Sequence, residues 1–185
     1  MILIIGMLLG IALGLITKGK FGALAHHRLR GIEIFIVLLF IQLVATGIPV
    51  ELPESILLYV FWMIPALGCL AISLWNVREP GFALVALGLA LNIVVIAVNG
   101  GMPVLTANAA MISSQAQVVY AALDQSWLHV PAEMGTSLLW LGDVLPVPGP
   151  GDSGNIVSIG DVYMSFGLGV YIFAAMHDQF DDCKN

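Results

Sequence analysis

The chain has 185 residues, 59% of them hydrophobic and only 10% charged. A soluble domain carries about 25% charged residues, so most of this surface cannot face water, and lipid is the expected solvent. Six Lys and Arg in total, against a formal net charge of −6, exclude a nucleic-acid partner, because that few cations cannot neutralise a phosphate backbone.

Five apolar stretches come near the roughly 17 to 25 residues that a bilayer core requires: 2–17, 31–48, 55–75, 82–98 and 158–176. They predict an all-α integral membrane fold of one domain, 1–185, whose partner is the lipid bilayer itself. An A-x-A arrangement at Ala23 and Ala25 would suit signal cleavage. A signal peptide, however, carries its positive charge ahead of the apolar core. Here no basic residue precedes Ile2, and Lys18, Lys20, Arg28 and Arg30 follow it, so the first stretch is expected to remain as a span. Gly6, Gly10 and Gly14 line one face of it. Small residues at this spacing let helix backbones approach closely. A neighbouring span is their expected partner, ahead of a second copy or another membrane protein.

The connection after the first span holds four of the six basic residues, with Arg78 in the third connection and Lys184 in the tail. The connections at 49–54 and 99–157 hold none. The positive-inside rule then places the N-terminus outside and the C-terminus inside. It makes 99–157 a cap on the outer face. In the basic first connection, His26 and His27 are expected to be solvated, and Glu33 to pair with Arg28 or Arg30 or simply to favour the helix start. Gln42 is expected to bond across to a neighbouring helix. Pro65 should kink the third span.

The cap is too long for a plain loop. In "NAAMISSQAQVVYAAL", Met111, Ile112, Gln115, Val118, Val119 and Ala122 stand near helical spacing, which predicts an amphipathic interfacial helix. "VPAEMGTSLLWLG" predicts a second short helix, lying in the interface or re-entrant, with Pro131 at its start, Glu133 in its first turn and Gly142 at its end. Trp127 and Trp140 suit the headgroup level.

Two Gly-Asp-Val triplets flank the Pro- and Gly-rich stretch that follows. In "SIGD", Ser158 and Asp161 match a capping box, which places Asp161 near the outer rim of the last span, not at its centre. Asp143 follows a predicted helix end, where the helix dipole disfavours a carboxylate unless another group engages it. Turn N–H groups, or polar groups near Asn99 and His129, are its expected partners. Asn92 and Asn99 share one face of the fourth span; Asn99, followed by Gly100, Gly101 and Pro103, also suits a helix terminus.

No P-loop, HExxH, GxSxG or Cys/His metal spacing occurs, and Cys69 and Cys183 form no CxxC pair. No catalytic residue, metal or cofactor is therefore assigned. Glu133, Asp143, Asp152 and His129 could ligate a cation, but an outer surface poor in Lys and Arg follows from topology alone.

The ordered motifs "RLRG", "NGGMPV", "WLGDVLPVP" and "SIGDV" resemble a bacterial family of small multispanning membrane proteins of unknown function. The resemblance implies a cytoplasmic (inner) membrane location and a recurrent outer-face structure. It carries no activity, so Asn99, Met102, Pro103, Asp143 and Asp161 match as motif positions only.

The function expected from all this is binding or transport at the outer-leaflet side. Its ligand would be a lipid-like or quinone-like molecule or a small polar solute. Asn99, Met102, His129, Glu133, Trp140, Asp143 and Asp161 are the candidate ligand-binding residues. Two other readings stay open: an accessory subunit of a larger membrane complex, and, ranked last, a lipid-modifying enzyme using Asp143 with His129.

Overall fold

The structure is a computed structural model that describes residues 2–26, 29–47, 52–108, 123, 126–149 and 154–177. It is mostly helical. In chain order the helices are α1 (Ile2–Ile16), α2 (Phe21–His26), α3 (Ile32–Gly47), α4 (Glu54–Trp75), α5 (Phe82–Asn99) and α6 (Ile159–His177). Among the described residues three of them, α4, α5 and α6, are long and apolar enough to cross a membrane; α1 and α3 are shorter apolar helices. All five expected apolar stretches are helical. The short α2 was not anticipated, because six residues between Lys20 and His27 are too few to show a period.

Packing follows a row in which α6 lies between α1 and α5, α5 packs on α4, and α4 on α3. The glycine strip explains the first contact. Gly6 and Gly10 face the Ser165 and Gly169 backbone of α6, Gly14 faces the Met176 side chain, and all three glycines are buried. Backbones that close gain dispersion contacts that lipid chains cannot replace. Ser165 Oγ donates to the Ile2 carbonyl at 2.7 Å and pins the N-terminal end of α1 to α6. The α5–α6 contact depends on Gly81 in the same way. Its φ of +85° is left-handed, and a side chain there would strike the Gly167 carbonyl.

Pro65 acts one turn before itself. A proline has no N–H to donate and crowds the carbonyl four residues earlier. The helix answers with a π segment over Leu57–Met63, in which the Ile64 N–H reaches back to the Tyr59 carbonyl. Gln42 bonds across as expected, its Nε2 donating to the Trp62 carbonyl at 3.2 Å. At the opposite end of α4, Asn76 is buried and clamps the chain preceding α3. Its Nδ2 donates to the Arg30 carbonyl at 2.9 Å and its Oδ1 accepts from the Arg30 N–H at 3.0 Å. Asn76→Ala would strand both backbone groups. It is expected to lower stability by about 1–3 kcal/mol, read as a lower thermal midpoint in detergent than that of the exposed-site control Val77→Ala.

The cap departs from the all-α expectation. It holds a four-stranded sheet, β1 (Met102–Val104), β2 (His129–Pro131), β3 (Asp143–Val147) and β4 (Asn155–Ser158), in the order β2-β1-β3-β4. Strand β1 runs parallel to both neighbours, and β3–β4 is antiparallel with an irregularity between Asp143 and Leu145. The second helix expected after Pro131 is absent. In its place Pro131 ends β2, a turn follows with Gly135 at φ +104°, and a single 3-10 turn covers Leu139–Leu141. A helix this short is marginal alone, and β1 draws its first residues away: Pro131 pairs with Val104, and the Ala132 N–H donates to the Val104 carbonyl. The amphipathic helix expected over 108–123 falls on residues outside the described ones except at its ends; Asn108 itself belongs to a 3-10 turn. His27, Arg28 and Asp152, and the roles expected of them, likewise lie outside the described residues. Beneath the sheet, Met102 and Leu141 join Leu58, Met63, Val95 and Ile96 in one buried cluster.

Candidate functional site

The capping box forms as read from "SIGD". The Asp161 N–H donates to Ser158 Oγ at 3.0 Å, and the Ser158 N–H donates to Asp161 Oδ2 at 3.2 Å. Both bonds engage N–H groups that a helix start leaves without internal partners. The box is not closed on itself. Asn92 of α5 donates from Nδ2 to Asp161 Oδ1 at 2.9 Å, and its Oδ1 accepts from Ser158 Oγ at 2.9 Å. Gly160 permits this, because Asn92 and the Gly88 backbone occupy the space a side chain there would need.

Asp143 opens β3, paired with Val104 on one side and with Ser158 on the other. It therefore lies across the sheet from the residue that caps α6. The residue is 6% exposed. Its Oδ2 is 3.7 Å from His129 Nε2, beyond hydrogen-bond range. Its Oδ1 is buried with no hydrogen-bond partner, as among the described residues is only Ser73 Oγ. Burial, followed by the negative charge of Asp161, pushes the Asp143 carboxyl up to about 8. His129 moves down, since burial outweighs the opposing pull of Asp161. Near neutral pH the pair is thus a carboxylic acid beside a neutral imidazole, not an ion pair. Ser126 Oγ holds the ring at Nδ1, 2.8 Å away, and accepts from the His129 N–H at 3.1 Å.

The seven candidate residues separate into distinct places. Asp143, His129 and Asp161 converge. Met102 is buried in the cluster below them. Asn99 ends α5 with Gly100 in the left-handed region, as expected, and ties down the turn after β2. Its Nδ2 donates to the Ser137 carbonyl at 2.9 Å, and its Oδ1 accepts from the Ser137 N–H at 3.1 Å. Glu133 is exposed on that turn, lining with Asn99 and Thr136 an open polar cleft of about 410 Å³. Trp140 points outward, 64% exposed, and Trp127 packs partly buried against the core. Asn92 and Ser158, absent from the candidate set, prove central. The adjoining glycine before Asp161 was the available signal, since it marks a close helix approach.

This arrangement offers hydrogen-bond acceptors at a helix start, one protonated acid and one neutral base. Among the described residues no three His, Cys, Asp or Glu side chains group as metal ligands.

A family model described as a family of unknown function (DUF5317) matches residues 26–173. An uncharacterised protein of Thermotoga maritima is 26% identical over 176 residues, which cover 94% of this chain and 90% of that protein. No solved structure matches the chain.

Proposed function

The chain belongs to the DUF5317 family, whose function is unknown, and from that premise we propose that it is a multi-pass protein of the bacterial inner membrane that binds a small ligand at its outer face. In this reading α1, α3, α4, α5 and α6 all span, the N-terminus is outside, and 99–157 is the outer cap. The distribution of Lys and Arg supports that sidedness, since all six lie outside 99–157. At 15 and 16 residues, α1 and α3 are short for the bilayer, a mismatch that local thinning accommodates at modest cost.

One observation carries the binding role: the buried Asp143 carboxyl with an unpartnered oxygen, set beside His129 and the Asn92–Ser158–Asp161 network. A buried polar atom without a partner costs about 1–3 kcal/mol, and a bound molecule that bonds to it removes that cost. An accessory-subunit reading draws instead on the apolar groove of about 360 Å³ between α1 and α6, floored by Gly6, Gly10 and Gly169.

Two measurements test the proposal. Glu133→Cys, in a chain with Cys69 and Cys183 replaced by Ser, should react with an impermeant maleimide in intact cells. Reaction only after permeabilisation would reverse the sidedness. Native mass spectrometry of gently extracted protein should show a retained small molecule that Asp143→Asn loses. Equal retention by both proteins, or none by either, would remove Asp143 from any binding role.

A further inference from the structure

We infer that the outer-face site takes an organic ammonium group, seated against the Asp143 and Asp161 carboxyl groups; this deepens the reading above and rests on it. The cluster is rich in acceptors and poor in available donors. Asn92 Nδ2 and Ser158 Oγ already donate within it, as do the backbone N–H groups of Ser158 and Asp161. What stands unpartnered is Asp143 Oδ1, on a side chain 9% exposed. Once Asp143 has given up its proton, both of its oxygens are acceptors, and a ligand that meets that form brings N–H groups to it.

Charge points the same way. Among the described residues, the titratable groups facing Asp143 are His129 from β2 and Asp161 from α6. No Lys or Arg occurs anywhere in 99–157 to balance two carboxylates. At rest the imbalance is relieved by a proton on Asp143, whose carboxyl is pushed up to about 8. A ligand bearing its own positive charge relieves it instead. An ammonium group combines one charge with up to three N–H donors, which suits two carboxyl groups. A divalent metal requires more ligands than converge among the described residues.

The binding step is an exchange. The Asp143 O–H bond breaks, its proton passes to bulk water, and the resulting carboxylate accepts a hydrogen bond from the ammonium, which keeps its own protons. Below about pH 8, proton and amine compete, so affinity rises about tenfold per pH unit and levels off above.

The experiment is calorimetry with methylammonium on the full chain in phosphatidylglycerol nanodiscs, in two buffers of different ionisation enthalpy. About one proton released per amine at pH 7 is expected, with affinity about tenfold weaker at pH 6. Asp143→Asn should lose the proton release and weaken binding tenfold or more, and Asp161→Asn should weaken binding while retaining the release. A free amine as natural source predicts equal methylammonium affinity in phosphatidylethanolamine nanodiscs; a lipid headgroup predicts competition there. Either result upholds the ammonium class. No methylammonium binding to millimolar concentration, or binding without proton release, would overturn it. A neutral or anionic molecule retained by the wild type and lost in Asp143→Asn would overturn it too, yet leave the outer-face binding role standing.

Discussion

Gly160→Val is expected to destabilise the protein by about 3 kcal/mol or more, seen as a large fall in thermal midpoint in detergent. The residue sits where α6 meets α5. A Cβ there would run into the Asn92 amide, and would lie 2.7 Å from the Gly88 carbonyl oxygen. The first obstacle is a side chain and the second is backbone, which cannot swing aside without shifting α5. The two sources can be separated. Removing the amide in Gly160→Val/Asn92→Ala should recover only part of the loss, because the Gly88 contact remains. The clash would also pull Asn92 from Asp161 and Ser158, so the cap of α6 and the α5–α6 crossing should fail together. Gly22→Val, where an added Cβ would meet nothing within 4 Å, is the control and should change little. Full recovery in the double variant would show that the backbone approach matters less than the amide.

The helices were readable because their signals are local. An apolar run announces itself residue by residue, and the starts of α5 and α6 fall within one residue of expectation. The "SIGD" box was equally legible, since both partners lie three residues apart. The sheet was hidden for the opposite reason. Its strands are three to five residues long, Pro103, Pro131 and Pro146 interrupt them, and pairs such as Met102 with His129 are distant in sequence. Locally, "VPAEMGTSLLWLG" carries a proline start, an early acid and a terminal glycine, as a helix would. Nothing within those residues reveals that β1 waits beside them. The candidate site divides likewise. Asp143 was suspect because a carboxylate beside an apolar run needs a partner, and His129 was among the partners named. That Asn92 joins Asp161 across 69 positions required the crossing geometry.

Raising the pH from about 6.5 to 8 is expected to lower stability by about 2 kcal/mol, and Asp143→Asn should abolish that loss. The folded Asp143 carboxyl holds its proton up to about pH 8, whereas an unfolded aspartate releases it near 3.8. Between those values the native state binds the extra proton, so stability falls as pH rises and settles above about 8. His129 works in the other sense. Its lowered folded pKa means that the unfolded chain binds the proton first as pH drops below 6.5, which removes stability on acidification. The two slopes oppose each other just below 6.5, where the profile flattens, while above it the aspartate acts alone. In Asp143→Asn only the histidine remains, so the profile should be flat above pH 6.5 and fall towards acid. Unfolding midpoints across pH 5 to 9 in a single detergent distinguish the two shapes. A wild-type profile that rises through pH 7 to 8 would mean that Asp143 is ionised in the folded protein. It would then hold a negative charge that some donor must satisfy, and both the resting proton and its exchange for an amine would be lost as explanations.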